Sequence, residues 1–509
     1  MITFRAVLLL LAAAVSLSAI ARWIRVPFPA LLALAGAALS FAPIEAPFQL
    51  DPDLALVLFV APVLLDAAYD ASPRDLRFHW RALTSLVFVA VGLTTVAVAY
   101  IARRVVPDLP WSAAIALGAI VAPPDAAAAT AVLRQVRLPH HIVVVLEGES
   151  LLNDATALLI YRVAVSSAVA GSAVVSQIIA PSFLPSIAGS LVAGYVLAHV
   201  SSWVLRRMTD MPSTIVVQFM GTFSVWLIAD HLGMSPVLTV VAFAVTLSRF
   251  GPARTPARIR AASNVVWDTA VVVLNALAFM LVGLQLRTIV AAAPPGELRG
   301  WLVFAGAVFA TVIAVRLIWV MASNAWTRPR GRHAASAAAT PAWKSGLVIS
   351  WCGMRGIVTL ATALALPERF PYRDLLLFTA FAITLGTLVV QGLTLRPLLR
   401  TLALPDDGVV EAEIRIAREA LASAALALIE TERSAEAEGL RRDLELQRDT
   451  ARAAHDGEGR ARSVRKEILY RTLVRRRERL LQLRAEQAIG DEAFHRLEDE
   501  LDIAELATR

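Results

Sequence analysis

Three carboxylates stand inside a stretch of sequence that is otherwise apolar enough to span a membrane. The stretch runs from Ile142 to about Ala170 and contains Glu147-Gly148-Glu149-Ser150-Leu151-Leu152-Asn153-Asp154-Ala155. A carboxylate near the bilayer centre costs roughly 2.5–3.5 kcal/mol, and such groups normally face a bundle interior or an aqueous cavity. The motif therefore indicates a site that handles ions.

Helical spacing divides the motif into two faces. Ser150 and Asp154 lie four residues apart and share one face, whereas Glu149 and Asn153 share a face about 100° away. The first face presents a hydroxyl and a carboxylate to a cation. The second face is expected to hold structural partners.

Further charged residues inside apolar stretches also need compensation in a membrane. They are Asp66, Asp125, Arg316 and Arg355. One interpretation is that they form neutralising salt bridges that only hold helices together. If Arg316 pairs with Glu149, Asp154 is left without a permanent cation, and burial then favours the protonated form of its carboxylate.

A carboxylate that holds either a proton or a small cation, but not both, is the simplest device for exchange, because competition for one site couples the two flows. Asp154 is predicted to be that group. Asp66 lies about one helical turn from the centre of its stretch and is a candidate second contributor. His140 and His141 stand in a basic loop and are interpreted as solvated side chains.

Two apolar stretches are broken near their middles. The fifth contains Val121-Ala122-Pro123-Pro124-Asp125, and the twelfth contains Gly353-Met354-Arg355-Gly356. Proline removes a backbone donor and glycine loosens a helix, so each break exposes amide ends on one half-helix and carbonyl ends on the other. Asp125 is expected to offset the amide ends and Arg355 the carbonyl ends, with a role in transport second to this structural one.

Composition excludes a soluble globular protein. The 509 residues are 57% hydrophobic and 17% charged, with a mean hydropathy of +0.64, whereas soluble domains are about 45–50% apolar. The single cysteine, Cys352, excludes disulfides within the chain. The composition indicates a polytopic membrane protein.

Apolar stretches of the about 17–25 residues that a spanning helix needs recur thirteen times between residues 4 and 396. The first is interpreted as a spanning helix rather than a signal peptide, because more membrane stretches follow it. The predicted fold is all-α, with a transmembrane domain over residues 1–403 and a charged helical tail over 404–509.

Loop charges predict the orientation. Odd-numbered loops hold 17 Lys and Arg residues and even-numbered loops hold 6, and basic residues accumulate on the cytoplasmic side. The N-terminus is therefore expected outside and the tail in the cytoplasm. Because the two breaks are seven stretches apart, the halves 4–169 and 214–396 are predicted to be inverted repeats of six helices each, with the broken helices crossing.

With these residues placed, the chain resembles the monovalent cation/proton antiporters of the Asn-Asp type, which include bacterial Na+/H+ antiporters and animal Na+/H+ exchangers. The likeness covers residues 5–400, and the motif around Asn153-Asp154 carries most of it. Shorter segments support it: Phe279–Leu286, Arg316–Val320, Gly353–Gly356 and Leu366-Pro367.

The resemblance implies a homodimer of thirteen-helix protomers, each with a six-helix core that moves like an elevator. It implies that Asp154 carries the cation and the proton with Ser150 and Asn153 beside it, and that Glu149 pairs with Arg316. By the same likeness Asp125 and Arg355 balance the crossed helix ends, and Asp66 stands where relatives often have a glutamate near the ion site. The Asn-Asp pairing implies electroneutral one-for-one exchange.

The chain departs from the family pattern at two positions. It has Pro124-Asp125-Ala126 where relatives usually have Thr-Asp-Pro, and Asp66 is shorter than glutamate. The choice between Na+, K+ and Li+ therefore stays open.

The expected function is exchange of Na+, K+ or Li+ for protons across the plasma membrane, in the service of pH and cation homeostasis. It requires no cofactor and no nucleic acid, and its expected partners are the transported ions, the lipid bilayer and a second copy of the chain. Two alternatives remain: a cation channel that uses the carboxylates as a selectivity ring, and an intramembrane aspartyl protease. Tyr69-Asp70 matches half of the protease signature, but the other half, Gly-x-Gly-Asp in a later apolar stretch, is absent.

Overall fold

In the computed structural model, the described residues form helices and connecting turns, and no strand occurs among them. The described residues are 2–24, 27–41, 52–125, 128–129, 133, 138–170, 180–208, 210–250, 256–326, 341–405, 407–430, 432, 434–452, 471–483, 486, 497–498, 500–502 and 504–505.

The first part of the chain forms eight helices. They are α1 (Ile2–Ile24), α2 (Phe28–Leu39), α3 (Pro52–Ala55), α4 (Ala61–Asp70), α5 (Pro73–Phe78), α6 (Trp80–Thr84), α7 (Val91–Val105) and α8 (Trp111–Val121). Short π-helical segments, Leu56–Val60 and Ser85–Ala90, join α3 to α4 and α6 to α7. Residues 52–70 and residues 80–105 therefore each form one continuous helix.

The remaining helices carry the motif, the second break and the tail. They are α9 (His140–Ala170), α10 (Ala180–Leu205), α11 (Met211–His231), α12 (Pro236–Phe250), α13 (Ala257–Leu284), α14 (Leu286–Ala291), α15 (Leu298–Trp326), α16 (Ala342–Trp351), α17 (Ile357–Leu364), α18 (Arg373–Leu402), α19 (Val409–Leu428) and α20 (Ala435–Arg452).

Six helical segments in the described part of the chain are long and apolar enough to cross a membrane. They are Trp80–Val105, Pro185–Leu205, Met211–His231, Arg258–Ala291, Leu298–Ser323 and Arg373–Leu402. Other predicted stretches coincide with shorter or interrupted apolar helices, such as Phe28–Leu39 and Trp111–Val121. The chain is thus a multi-pass membrane protein, and the count of thirteen crossings and the inverted repeats stay predictions.

Both interruptions fall where the prolines and glycines predict them. Helix α8 ends at Val121, with one residue between it and the two prolines, which begin at Pro123. Helix α16 ends at Trp351 and α17 begins at Ile357, so the glycine-flanked Arg355 lies in the gap between them.

Two glycines allow α2 and α13 to pack backbone against backbone. A Cβ atom at Gly36 would lie 3.1 Å from the Cα of Gly283, and one at Gly283 would lie 2.6 Å from the backbone nitrogen of Ala37. Small residues permit such close approach in membrane helix pairs. This contact gives Gly283, in the segment Phe279–Leu286, a physical role.

The chain divides into two compact units, Met1–Asp407 and Gly408–Arg509. The second unit contains α19, α20 and a helix over residues 471–483. Within it, Leu473, Leu480 and Leu501 form a small buried apolar cluster. Within the tail that the sequence predicts to be helical, residues 409–428, 435–452 and 471–483 form helices.

Several basic residues on which the predicted orientation rests lie outside the described residues. They are Arg25, Arg134, Arg137, Arg254, Arg328, Arg330 and Arg332. The orientation of the chain in the membrane therefore stays a prediction.

Candidate functional site

Helix α9 contains the whole acidic motif, and most polar side chains of the motif lie inside the protein. Glu149 and Asn153 are buried, and Asp154 is 8% exposed. Ser150 is partly buried one turn before Asp154. The helix thus takes two acidic side chains and an amide out of contact with both lipid and bulk water.

Glu149 and Arg316 form a buried salt bridge between α9 and α15. Arg316 donates from Nη2 to Glu149 Oε2 at 2.9 Å and from Nη1 to Oε1. Its guanidinium also donates to the carbonyl oxygens of Ile349 (3.0 Å) and Ser350 (3.2 Å) in α16. Asn153 donates from Nδ2 to Glu149 Oε1 at 3.1 Å. The pair and its neighbours therefore tie three helices together.

Arg355 holds the carbonyl end of α8 at the point where the broken helices cross. Its Nε donates to the carbonyl oxygen of Val121 at 2.9 Å and its Nη2 to that of Ala122 at 3.1 Å, while Nη1 donates to the Gly353 carbonyl oxygen. Arg355 as a whole is 1% exposed. Its bonded partners among the described residues are thus backbone carbonyls, as the break in the twelfth apolar stretch predicts, and not a carboxylate, as the grouping of Arg355 with the structural ion pairs would require.

Asp125 lies at the other half of the same crossing. Its backbone nitrogen donates to the Met354 carbonyl oxygen at 2.7 Å. Its carboxylate packs against Gly356, where a Cβ atom would overlap it, and Gly356 immediately precedes the first residue of α17. The negative charge therefore stands at the amide end of a helix, which favours an anion. Ala126, one of the departures from the family pattern, lies outside the described residues.

Asp154 differs from these charges because none of the described residues neutralises it directly. Within the part of the chain that the structure describes, its carboxylate accepts no hydrogen bond and enters no salt bridge. It interacts through space with Asp125. The described environment of Asp154 therefore leaves a carboxylate open to a proton or a cation beside the crossing.

Asp66 stands apart from these residues. It lies in α4 and lines a cavity of about 290 Å³, together with residues of α10, α11, α12 and α13. Asp154, Ser150 and Asp125 are not among the lining residues. The structure thus brings the other six predicted residues together with Asp154 at the crossing, and it places Asp66 at a cavity that they do not line.

Sequence reasoning missed several contacts of the site. Thr387 in α18 accepts a hydrogen bond from the backbone nitrogen of Arg355 at 3.0 Å, but it is one of five threonines in that helix, so the sequence does not distinguish it. The carbonyls of Ile349 and Ser350 have no sequence signal at all, because every residue carries one.

The interpretation of His140 and His141 as solvated side chains is wrong. Asp407 accepts from the backbone nitrogen of His140 at 3.0 Å, and His140 Nε2 lies 3.3 Å from Asp75 Oδ2. His141 Nδ1 lies 3.9 Å from Asp407 Oδ2, and its side chain is 19% exposed. The two acids come from distant parts of the chain and fix the start of the motif helix.

Comparison with known proteins decides the family. A family model described as the sodium/hydrogen exchanger, transmembrane, matches residues 7–401. The chain belongs to this family. The resemblance seen in the motif is thereby confirmed, and because family members are secondary transporters, the exchanger is not an enzyme.

Relatives extend the likeness along most of the chain. The exchanger is 29% identical over 521 residues to an uncharacterized Na+/H+ exchanger of Escherichia coli, YjcE, covering 94% of each chain. It is 29% identical over 418 residues to the sodium, potassium, lithium and rubidium/H+ antiporter of Bacillus pumilus, covering 78% of the exchanger and 61% of that protein. The first match includes the tail as well as the membrane region.

A solved structure shares the fold. The sodium proton antiporter MjNhaP1 from Methanocaldococcus jannaschii superposes with a TM-score of 0.61 at 17% identity, covering 79% of the exchanger and 99% of that chain. The exchanger therefore has the helical transporter fold of that protein.

Proposed function

We propose that the exchanger moves one monovalent cation against one proton, and that Asp154 carries both in turn. The observation that carries this proposal is the contrast between Asp154 and its neighbours. Glu149 is matched by Arg316, and Arg355 and Asp125 stand against helix ends. Asp154 is buried in the same region with no described partner.

The exchange follows because a proton and a cation compete for the Asp154 carboxylate. Deprotonated Asp154 accepts a cation, to which Ser150 adds a hydroxyl oxygen from the same helix face and Asp125 adds negative charge across the crossing. A proton arriving at Asp154 removes the charge that holds the cation. Because the site then carries one positive charge in each direction, the exchange is electroneutral.

Membership of the family supports a proposal for the wider organisation. The two broken helices, in inverted repeats over 4–169 and 214–396, move the site across the membrane in an elevator-like step within a transmembrane domain of residues 1–403. Two such protomers form a homodimer in the plasma membrane, with the N-terminus outside and the tail 404–509 in the cytoplasm. The name of the Bacillus pumilus relative supports Na+, K+ and Li+ as cargo.

Reconstituted vesicles test the stoichiometry. With purified exchanger in proteoliposomes carrying an internal pH dye, a Na+ gradient is expected to drive a pH change whose rate stays the same when valinomycin and K+ clamp the membrane potential. Repeating the assay with K+ and Li+ gives the selectivity. A rate that changes severalfold with the clamp contradicts one-for-one exchange, and a steady current without proton coupling supports a channel instead.

A further inference from the structure

The motif helix α9 begins after a proline that cannot cap it. Its first residue is His140, and the carbonyl oxygen of Pro139 accepts a hydrogen bond from the backbone nitrogen of Ile142 at 3.0 Å. The first amides of a helix have no partner within the helix, and a side-chain oxygen at the preceding position ordinarily accepts from one of them. Because proline has no side-chain oxygen, the acceptor must come from elsewhere.

Asp407 supplies an acceptor from 267 positions away in the chain. Its Oδ2 atom accepts a hydrogen bond from the His140 backbone nitrogen at 3.0 Å and lies 3.9 Å from His141 Nδ1. The Asp407 side chain is 3% exposed, and a buried carboxylate is costly unless it is hydrogen-bonded or paired. A negative charge is also favourable at the start of a helix. The carboxylate of Asp407 thus holds the first turn of α9.

The same turn is attached to the start of α16. His141 Nε2 lies 3.4 Å from Ser345 Oγ, in the first turn of α16. Lys344, the neighbour of Ser345, donates from Nζ to the carbonyl oxygen of Leu402 at 2.7 Å, where α18 ends. The start of α9, the start of α16 and the end of α18 therefore meet in one junction, and Asp407 binds the α9 side of it.

Helix α9 is thereby attached to α16 at two levels. At the other level, Arg316 bonds both to Glu149 and to two carbonyl oxygens of α16. Two attachments fix the tilt of a helix, whereas a single attachment lets it pivot. At 1.5 Å per residue, His140 lies about 13 Å from Glu149 along α9, and Asp154 lies about 7 Å beyond Glu149. A pivot about Glu149 would therefore move Asp154 by about half the displacement of His140.

We infer that Asp407 is a positioning residue of the exchanger, because holding the start of α9 sets the place of Asp154 relative to the broken helices. The junction joins helices that lead to the crossing, since Arg355 follows α16 and Thr387 of α18 accepts from its backbone nitrogen. The attraction between a carboxylate and a cation falls with distance, so a displaced Asp154 binds its cation more weakly. That Asp154 holds a cation rests on the proposed function; the attachment by Asp407 does not.

The Na+ dependence of exchange by the full chain in proteoliposomes tests the inference. Asp407→Ala removes the acceptor and is expected to raise KM for Na+ several-fold while the maximal rate stays near wild type, as loss of ground-state binding does. Asp407→Asn keeps an oxygen that can accept from the His140 amide and should restore most of the wild-type KM. In Asp407→Ala, amide hydrogen exchange in the first turn of α9 should be faster, because that turn opens more often.

Asp210→Ala is the matched control. Asp210 caps α11 by accepting from the backbone nitrogen of Ser213 at 2.9 Å, and α11 carries none of the residues of the site. Loss of either acceptor should lower the melting temperature, but only Asp407→Ala should change KM. The inference is overturned by an unchanged KM or unchanged hydrogen exchange in Asp407→Ala, by an equal rise of KM in Asp210→Ala, or by no recovery in Asp407→Asn.

The outcomes separate this inference from the proposed function. If Asp407→Ala does not fold, as judged by size-exclusion chromatography in detergent, Asp407→Ser takes its place under the same criteria, because the shorter serine side chain does not reach the His140 amide. Exchange by Asp154→Asn vesicles would overturn the proposed function. A wild-type KM in Asp407→Ala together with inactive Asp154→Asn would overturn the role of Asp407 alone.

Discussion

At the scale of single residues, the site is defined by which charges are matched. The charges of two buried arginines are compensated in different ways. Arg316 forms a salt bridge with a carboxylate, whereas Arg355 donates hydrogen bonds to carbonyl oxygens. Neither arginine therefore uses Asp154 to compensate its positive charge. A carboxylate left over from this matching is what an exchanger needs, because a permanent partner would compete with its cargo.

The buried pair gives the first prediction. Removing one partner of a buried salt bridge costs about 3–5 kcal/mol because the other charge is left unpaired. Glu149→Gln and Arg316→Leu are each expected to lower the free energy of unfolding by about this amount, and the reversed pair should recover part of it. Thermal melting in detergent measures the change.

An exposed pair serves as the control. Arg162 and Asp230 lie 3.7 Å apart with side chains 50% and 64% exposed, and such pairs contribute about 1 kcal/mol or less. Arg162→Leu should therefore melt close to wild type. Wild-type melting of Glu149→Gln would show that the buried pair has no stabilising role.

Sequence spacing predicted much at this scale. The four-residue intervals set Glu149 beside Asn153, and counting buried charges left Arg316 as the partner of Glu149. The same reasoning did not find the contacts of His140, because Asp75 and Asp407 lie 65 and 267 residues away from it. Polar residues near a loop carry no periodic signal of burial, so their partners emerge only in three dimensions.

At the scale of elements, the crossing depends on a close approach between Asp125 and the start of α17. Gly356→Ala adds a Cβ atom that overlaps the Asp125 carboxylate and is expected to displace it. Small displacements of charged groups in a site cost about ten- to a hundredfold in rate. Transport per milligram of reconstituted protein should fall by about this factor.

Gly92→Ala is the matched control for this substitution. Gly92 lies inside α7, and a Cβ atom there would meet nothing within 4 Å. Its transport rate should equal that of wild type. If Gly356→Ala transports as fast as Gly92→Ala, the close packing at the crossing is not needed for function.

The junction between α5 and α6 gives a prediction about pH. Burial lowers the pKa of His79 below its ordinary value, against the raising effects of the Asp75 carbonyl and carboxylate. A histidine with a depressed pKa in the folded state stabilises the fold above about pH 6.5, and this stability is lost as the pH falls. Melting temperatures measured from pH 7.5 to 5.5 should therefore fall less steeply in His79→Gln than in wild type.

The neighbouring acid acts in another pH range. Burial raises the pKa of Asp75, but hydrogen bonds with Ser72, His140 and Arg74 outweigh burial and hold it below its ordinary value. The stabilising contribution of Asp75 is lost only below about pH 4.

His231→Gln serves as the control for His79→Gln, because His231 is exposed. The dependence of its melting temperature on pH should have the same slope as that of wild type. Equal slopes in wild type and His79→Gln would contradict a role for His79.

The ends of the helices could be predicted from the local sequence, whereas the packing of the helices against one another could not. The prolines ended α8 at Val121 and the glycines interrupted the helix around Arg355, as the backbone limits of these residues require. The position of Asp66 was not predictable in this way. Its cavity is lined by five helices that are far apart in the chain, and their packing is decided by shape.

At the scale of the whole molecule, the family match and the fold agree on a cation/proton exchanger. The match to residues 7–401 covers the membrane region, and the Escherichia coli relative also covers most of the tail. Composition alone indicated the membrane class, and the motif predicted the family that the family model confirms. The number of crossings depends on short helices such as Phe28–Leu39, for which length and hydropathy are indecisive.

Transport by Asp154→Asn tests the central claim most directly. The amide keeps the shape of the side chain and removes its ability to hold a cation or release a proton. In everted vesicles with a ΔpH dye, Na+- or K+-induced dequenching should disappear while the protein remains inserted, and Asp230→Asn should retain the wild-type signal. Full dequenching by Asp154→Asn would contradict the account.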